Sequence, residues 1–138
     1  MPGARVSRVL YTVGLVLSAL VGALHFFAPH AFAWYSYIPE APEEIYVSIN
    51  YINILFSFML FGLSLLLLLM RRRAFAGSVE VRAFYTFLVL VWLCRLLVEV
   101  VIPWPTPLNT WLLLGVSTVL VALLVPAAHL WAVRPRTA

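Results

Sequence analysis

Four stretches of the chain are almost uninterrupted runs of apolar residues: Val9–Phe27, Ile49–Met70, Ala83–Ile102 and Thr110–Val133. Each comes near the roughly 20 residues that a helix needs to cross a bilayer core, and most polar residues fall in the short segments between them. In lipid the backbone must satisfy its own hydrogen bonds, so runs of this length are predicted as helices. The expected fold is all-α: a polytopic membrane four-helix bundle, left-handed and up-down-up-down. The spans and their links use nearly the whole sequence, which makes residues 1–138 a single four-helix transmembrane domain with no room for a soluble one.

Periodicity within the runs predicts which faces meet. In the first, Tyr11, Gly14, Ser18, Gly22 and His25 recur at helical spacing and contain Gly14-x3-Ser18-x3-Gly22, the small-residue pattern that lets helices approach closely in lipid. The fourth run carries Trp111, Gly115, Thr118, Ala122, Pro126 and His129, and the second carries Asn50, Asn53, Ser57 and Ser64 with one turn missing between the serines. These stripes are expected to line the interior, with the intervening Leu, Val and Phe facing lipid.

Composition agrees with this reading. Hydrophobic residues make up 64% of the chain and charged residues 10%, and mean hydropathy is +1.04, whereas soluble domains are about 45–50% apolar and 25% charged. The net charge of +4 reflects topology rather than a nucleic-acid surface. Arg5 and Arg8 precede the first run, Arg71, Arg72, Arg73 and Arg82 separate the second from the third, and Arg134 and Arg136 follow the fourth. The positive-inside rule then puts both termini in the cytoplasm, and the basic patches suit anionic lipid headgroups. The expected location is a bacterial or archaeal cytoplasmic membrane.

Against this background Arg95 and Glu99 stand out, one turn apart inside the third run. Counting 1.5 Å per residue, Arg95 lies roughly 10 Å from the end of its span. An intramembrane charge costs about 2.5–3.5 kcal/mol on insertion scales and generally faces a bundle interior or a wet cavity. The pair reads either as a structural lock or as part of a site. Alternating helix directions bring His25, Asn50, Asn53, Arg95 and Glu99 to one level, in the outer half, with Asn109, Thr110 and Trp111 from the fourth run. The candidate ligand-binding set is therefore His25, Asn50, Asn53, Trp92, Arg95, Glu99 and Trp111. The segment His30–Tyr46 is rich in aromatics, with Pro39 and Pro42 limiting its freedom. His30, Trp34, Tyr35 and Tyr37 form either an interfacial aromatic belt or a lid over the polar cluster.

Other chemistries find little support. His25 and His129 fall near opposite membrane faces, which forbids bis-histidine ligation of one haem within the chain. His25 and His30 with a loop glutamate match no metal-site spacing. His25 is expected instead to hydrogen-bond Glu99 or an asparagine. No phosphate loop, nucleophile elbow or paired aspartates occur, so no catalytic residue is assigned and enzymatic activity stays open. Cys94 lies mid-span and is expected to be a small buried hydrophobe. Arg5, Arg8 and Ala31-Phe32-Ala33 invite a signal-peptide reading, but an apolar run of about 19 residues is longer than the usual 7–15 of a signal core.

The segment Gly22-Ala23-Leu24-His25-Phe26-Phe27-Ala28-Pro29, followed by Phe32 and Ile38-Pro39, resembles the G-x-x-H-F-x-x-P…P pattern of small four-helix membrane proteins of the DoxX-like group. The Gly62–Leu69 run before Arg71–Arg73 is similar as well. The resemblance covers the first half of the chain and carries over His25, whereas Arg95 and Glu99 have no counterpart in it. It implies a membrane subunit near quinone chemistry. The expected function is a protein that binds a lipophilic ligand with a polar head, a quinone or a lipid, in an outer-leaflet pocket, in association with redox chemistry. The alternatives are a structural or assembly subunit of a larger membrane complex and a small proton-coupled transporter or channel working as a homodimer. Expected partners are membrane lipids, the lipophilic molecule itself, and another membrane protein or a second copy, but no nucleic acid.

Overall fold

A computed structural model describes residues 2–38, 40–104 and 106–132. Pro39, Pro105, Arg134, Arg136 and Val133, the end of the fourth predicted span, lie outside the described residues. The elements are α1 (Pro2–His25), α2 (Ala28–Ala31), a 3-10 turn (Trp34–Tyr37), α3 (Glu43–Leu69), α4 (Arg71–Ala76), α5 (Val79–Val101) and α6 (Leu108–Ala132). Among the described residues there is no strand. Helices α1, α3, α5 and α6 are long and apolar enough to cross a membrane, and the chain is an integral membrane protein.

All four begin earlier than hydropathy indicates, most clearly α1 at Pro2 rather than Val9 and α3 at Glu43 rather than Ile49. Apolarity marks the hydrocarbon core, while helical hydrogen bonding carries on past it. At the start of α3, Pro42 precedes the helix and Glu43 and Glu44 occupy its first turn, where carboxylates complement the helix dipole. Gly77 closes α4 at φ 100°, a left-handed conformation that suits glycine. The Ser78 side chain then caps α5 by accepting the Val81 N–H.

Helix α1 packs extensively on α3 and on α6, and α5 packs on α6. Helices α3 and α5 barely meet, despite the short link between them. Around the bundle the order is therefore α3, α1, α6, α5, with α1 and α5 on a diagonal. The small residues of α1 explain its position. A Cβ at Gly22 would lie 2.6 Å from the Phe61 backbone nitrogen on α3, and one at Gly14 would lie 2.8 Å from Leu123 Cδ2 on α6. One stripe thus serves two neighbours. On α3 the buried set is Asn53, Ser57, Leu60, Ser64 and Leu67, in which Leu60 fills the missing turn of the polar stripe.

Large side chains bridge the α1–α5 diagonal at one end of the bundle. The Tyr11 and Tyr85 rings stack with centroids 4.7 Å apart. Their hydroxyls donate outward, Tyr11 to the Leu67 carbonyl at 2.9 Å and Tyr85 to the Leu123 carbonyl at 3.0 Å. At mid-height a chain of hydrogen bonds crosses three helices. Ser64 Oγ donates to the Leu60 carbonyl at 2.7 Å, so in the 2.8 Å bond between Ser18 Oγ and Ser64 Oγ the proton comes from Ser18. Ser18 Oγ in turn accepts Trp92 Nε1–H at 2.9 Å. Each donor in the chain has a single acceptor, which removes the cost of burying these groups in an apolar core.

Three sequence expectations change here. Cys94 is exposed on α5, facing away from the bundle, not buried, because the α5 face that packs inward is the one carrying Tyr85, Leu88, Val89 and Trp92. Arg82 is not a loop arginine: it belongs to the first turns of α5 and is 2% exposed. The α6 stripe holds at Ala122 and Pro126, which are buried, but Trp111, Gly115 and Thr118 are exposed, because they border a void.

Candidate functional site: a cavity beside Arg95

Beyond Trp92 no side-chain hydrogen bond or ring contact joins α1 to α5 among the described residues, and the bundle holds a cavity of about 600 Å³, within the 300–1,000 Å³ usual for small-molecule sites. All four long helices line it. Leu17, Val21 and His25 come from α1, Phe56 and Leu60 from α3, Val91, Trp92 and Arg95 from α5, and Trp111, Gly115, Thr118 and Val119 from α6. Its rim includes Leu20, Leu24, Trp111 and Leu114, all exposed, so it opens sideways between α1 and α6. A Cβ at Gly115 would meet nothing within 4 Å, so the wall at that point is hollow. On the far side, Phe56, Leu60 and Val91 also line a second void of about 470 Å³ between α3 and α5, walled by apolar side chains such as Met59, Leu63 and Phe87.

Arg95 and Glu99 form a salt bridge, Nη1 to Oε2. The pair is asymmetric, because the Glu99 side chain is 3% exposed and that of Arg95 35%. The carboxylate is sealed in the bundle while the guanidinium looks into the cavity. An i, i+4 spacing on one helix makes the contact nearly automatic; the tertiary structure decides which partner faces the void.

The other polar groups at the cavity wall are mostly committed. Thr118 Oγ1 donates to the Leu114 carbonyl at 2.7 Å, and the Trp92 indole N–H is taken by Ser18. His25 Nδ1 is 2.9 Å from the Val21 carbonyl, which can only accept. Nδ1–H is thus the donor to Val21, and Nε2 is the ring's remaining hydrogen-bonding atom. The His25 ring also stands edge-on to Phe56 at 5.4 Å.

The structure divides the sequence-predicted site. His25, Trp92, Arg95 and Trp111 line the cavity, with Glu99 directly behind Arg95. Asn50 and Asn53 do not line it. Asn53 Nδ2 donates to the His25 carbonyl at 2.7 Å, satisfying an acceptor that the end of α1 leaves without a helical partner. The expected bond from the His25 ring to Glu99 or an asparagine is replaced by the ring's bond to Val21 and by Asn53 on the His25 backbone. Asn50 Oδ1 accepts the Tyr35 hydroxyl, tying the α1–α3 connection to the start of α3. Tyr46 donates to the Ile38 carbonyl, and Tyr35 packs against His30 and Tyr46. None of His30, Trp34, Tyr35 and Tyr37 lines the cavity, and Tyr37 is 79% exposed. The aromatic connection is therefore anchored to α3 and does not cover the cavity as a lid. Asn109 also turns away, accepting the Trp104 backbone N–H at 2.9 Å.

His129 lies toward the other end of the bundle, 6.1 Å from the Phe75 ring, over which Arg8 also sits. Among the described residues no three His, Cys, Asp or Glu side chains are grouped to hold a metal ion. Sequence reasoning missed the hollow at Gly115 and the apolar wall of Leu17, Val21 and Val119. Gly115 and Thr118 were visible as small or polar interruptions of α6, but their role depends on how far α6 stands from its neighbours. Comparison with family models, with curated proteins and with solved structures finds no match to this chain.

Proposed function

We propose that this protein binds a lipophilic molecule with a polar head, a quinone or a lipid, in the cavity beside Arg95, as a ligand-holding subunit associated with membrane redox chemistry. The observation that carries the reading is one half-open guanidinium in an otherwise apolar, laterally opening cavity. A soluble solute would have to cross lipid-facing side chains to reach it, whereas a membrane-dissolved amphiphile meets the mouth directly. The resemblance to DoxX-like proteins belongs to the same proposal, since the residue it carries over, His25, stands at the cavity wall. The four spans are read as up-down-up-down with both termini cytoplasmic, in a bacterial or archaeal cytoplasmic membrane. The support is the clustering of arginines on the side away from the cavity.

Gly115→Leu tests the binding reading, because the new side chain enters open space. The variant is expected to keep the parent's stability to within about 0.5 kcal/mol, as surface-like substitutions do. Lipophilic molecules co-purifying in mild detergent, identified by mass spectrometry, should be depleted in it. Equal ligand content in parent and variant would leave the structural-subunit reading as the better one, and that reading has its own support in an ion pair that is already self-satisfied. Orientation is checked separately in a Cys94→Ala background: a cysteine placed at Ser36 should react with impermeant reagent from outside and one at Ala76 from the cytoplasm, and the reverse labelling would invert the topology.

A further inference from the structure

The charge balance of the cavity narrows the ligand class, and this step rests on the binding reading above. Arg95 is the one charged side chain among the described residues lining the cavity, and Glu99, sealed behind it, already neutralises it. The cavity faces of α1, α3 and α6 contribute no further Arg, Asp or Glu, and the titratable group facing Arg95 from α1 is His25, from α3 and α6 none. The Arg95–Glu99 pair as built therefore carries no net charge. An anionic head beside Arg95 would leave two negative groups sharing one guanidinium in a low-dielectric pocket, and like charges are poorly screened there. A neutral acceptor creates no such conflict. It takes the guanidinium N–H groups that Glu99 leaves unused.

We infer that the cavity selects an electrically neutral amphiphile, with a carbonyl-type hydrogen-bond acceptor in its head beside Arg95 and its hydrocarbon chain leaving sideways between α1 and α6 past Leu20, Leu24 and Leu114. Those rim side chains are apolar and exposed, so the chain leaves the pocket for the bilayer along apolar side chains. A quinone and a lipid ester share this head chemistry.

The experiment uses the full-length protein in nanodiscs and two probes that share one chain and differ in the charge of the head: a mid-chain brominated fatty acid, at a pH where it is ionised, and its methyl ester. Bromine quenches tryptophan fluorescence at close range, Trp92 and Trp111 report the cavity, and Gly115→Leu supplies the background from probe dissolved in the bilayer. The parent is expected to bind the ester at least tenfold more tightly than the acid, and a short-chain alkyl quinone and a diacylglycerol, used as competitors, distinguish the two sources of a neutral head. In Glu99→Gln the site gains an uncompensated positive charge and the preference should turn toward the acid. If Glu99→Gln does not fold, the parent comparison still decides. Equal or tighter binding of the acid by the parent overturns the neutral-head inference while leaving the cavity reading intact. Absence of cavity quenching by both brominated probes, with parent and Gly115→Leu alike, overturns the cavity reading itself.

Discussion

The two ends of this bundle are built from the same four helices and differ in what spans the α1–α5 diagonal. At the end holding Tyr11 and Tyr85, two aromatic rings meet face to face and their hydroxyls reach carbonyls of α3 and α6. At the end holding His25 and Arg95, the side chains at corresponding levels turn into their own helices or stop at a void. In lipid there is no hydrophobic force to close such a gap, because acyl chains solvate apolar side chains as well as other side chains do. Whether a bundle is filled is then decided by particular side chains and close contacts. The filled end reads as the part that holds the fold, and the open end as the part free to hold something else.

The ion pair offers the hardest test of that contrast. Breaking a buried pair costs about 3–5 kcal/mol, whereas replacing both partners by apolar residues is often near neutral. Arg95→Leu is expected to fall in that range, since it strands a carboxylate with almost no exposure. Glu99→Leu should cost less, because Arg95 already faces the cavity, and Arg95→Leu/Glu99→Leu should regain most of the parent's melting temperature. Equal losses in the two single variants would mean that the guanidinium does not face an open space.

Glycine positions sharpen the comparison at the next level down. Gly22→Val sets a side chain against the α3 backbone, which cannot step aside, and is expected to lose about 3 kcal/mol, the upper part of the range for overpacking. Gly14→Ala meets mainly the flexible end of Leu123 and should lose about 1 kcal/mol, the lower end of the same range. Thermal or denaturant unfolding in one detergent ranks the two, and a reversed order would place the tight α1 contact on α6 instead of α3.

A further test concerns the polar thread at mid-height, between the two ends. Ser18→Ala leaves the Trp92 indole N–H buried without its acceptor, at a cost of about 1–3 kcal/mol. Because Trp92 is also a wall of the cavity, the freed indole should change its fluorescence spectrum and weaken retention of a co-purified ligand. An unchanged spectrum with unchanged stability would show that the thread contributes nothing to holding Trp92.

Much of the fold could be read directly from the chain. Four apolar runs of about the length a bilayer core requires define four helices whatever their neighbours, and Arg95 and Glu99 must meet because their spacing on one helix brings them together. Gly14, Ser18 and Gly22 likewise announce a close helix contact, since small residues at that period have few other uses in lipid. What the linear pattern could not contain is the partner of each surface and the distance to it. Asn53 has the same polarity whether it faces a ligand or caps α1, and the His25 carbonyl, a backbone group, leaves no mark in a residue pattern. Trp111, Gly115 and Thr118 fall on a stripe that packing would bury in a tight bundle and that faces a cavity in a splayed one. Helix formation in a membrane is local, fixed by backbone hydrogen bonding within each run, so sequence alone determined it. Enclosing a void is a property of four helices held at particular separations, and that was settled by the tertiary structure, through two glycines, two tyrosines and the absence of a bridge beyond Trp92.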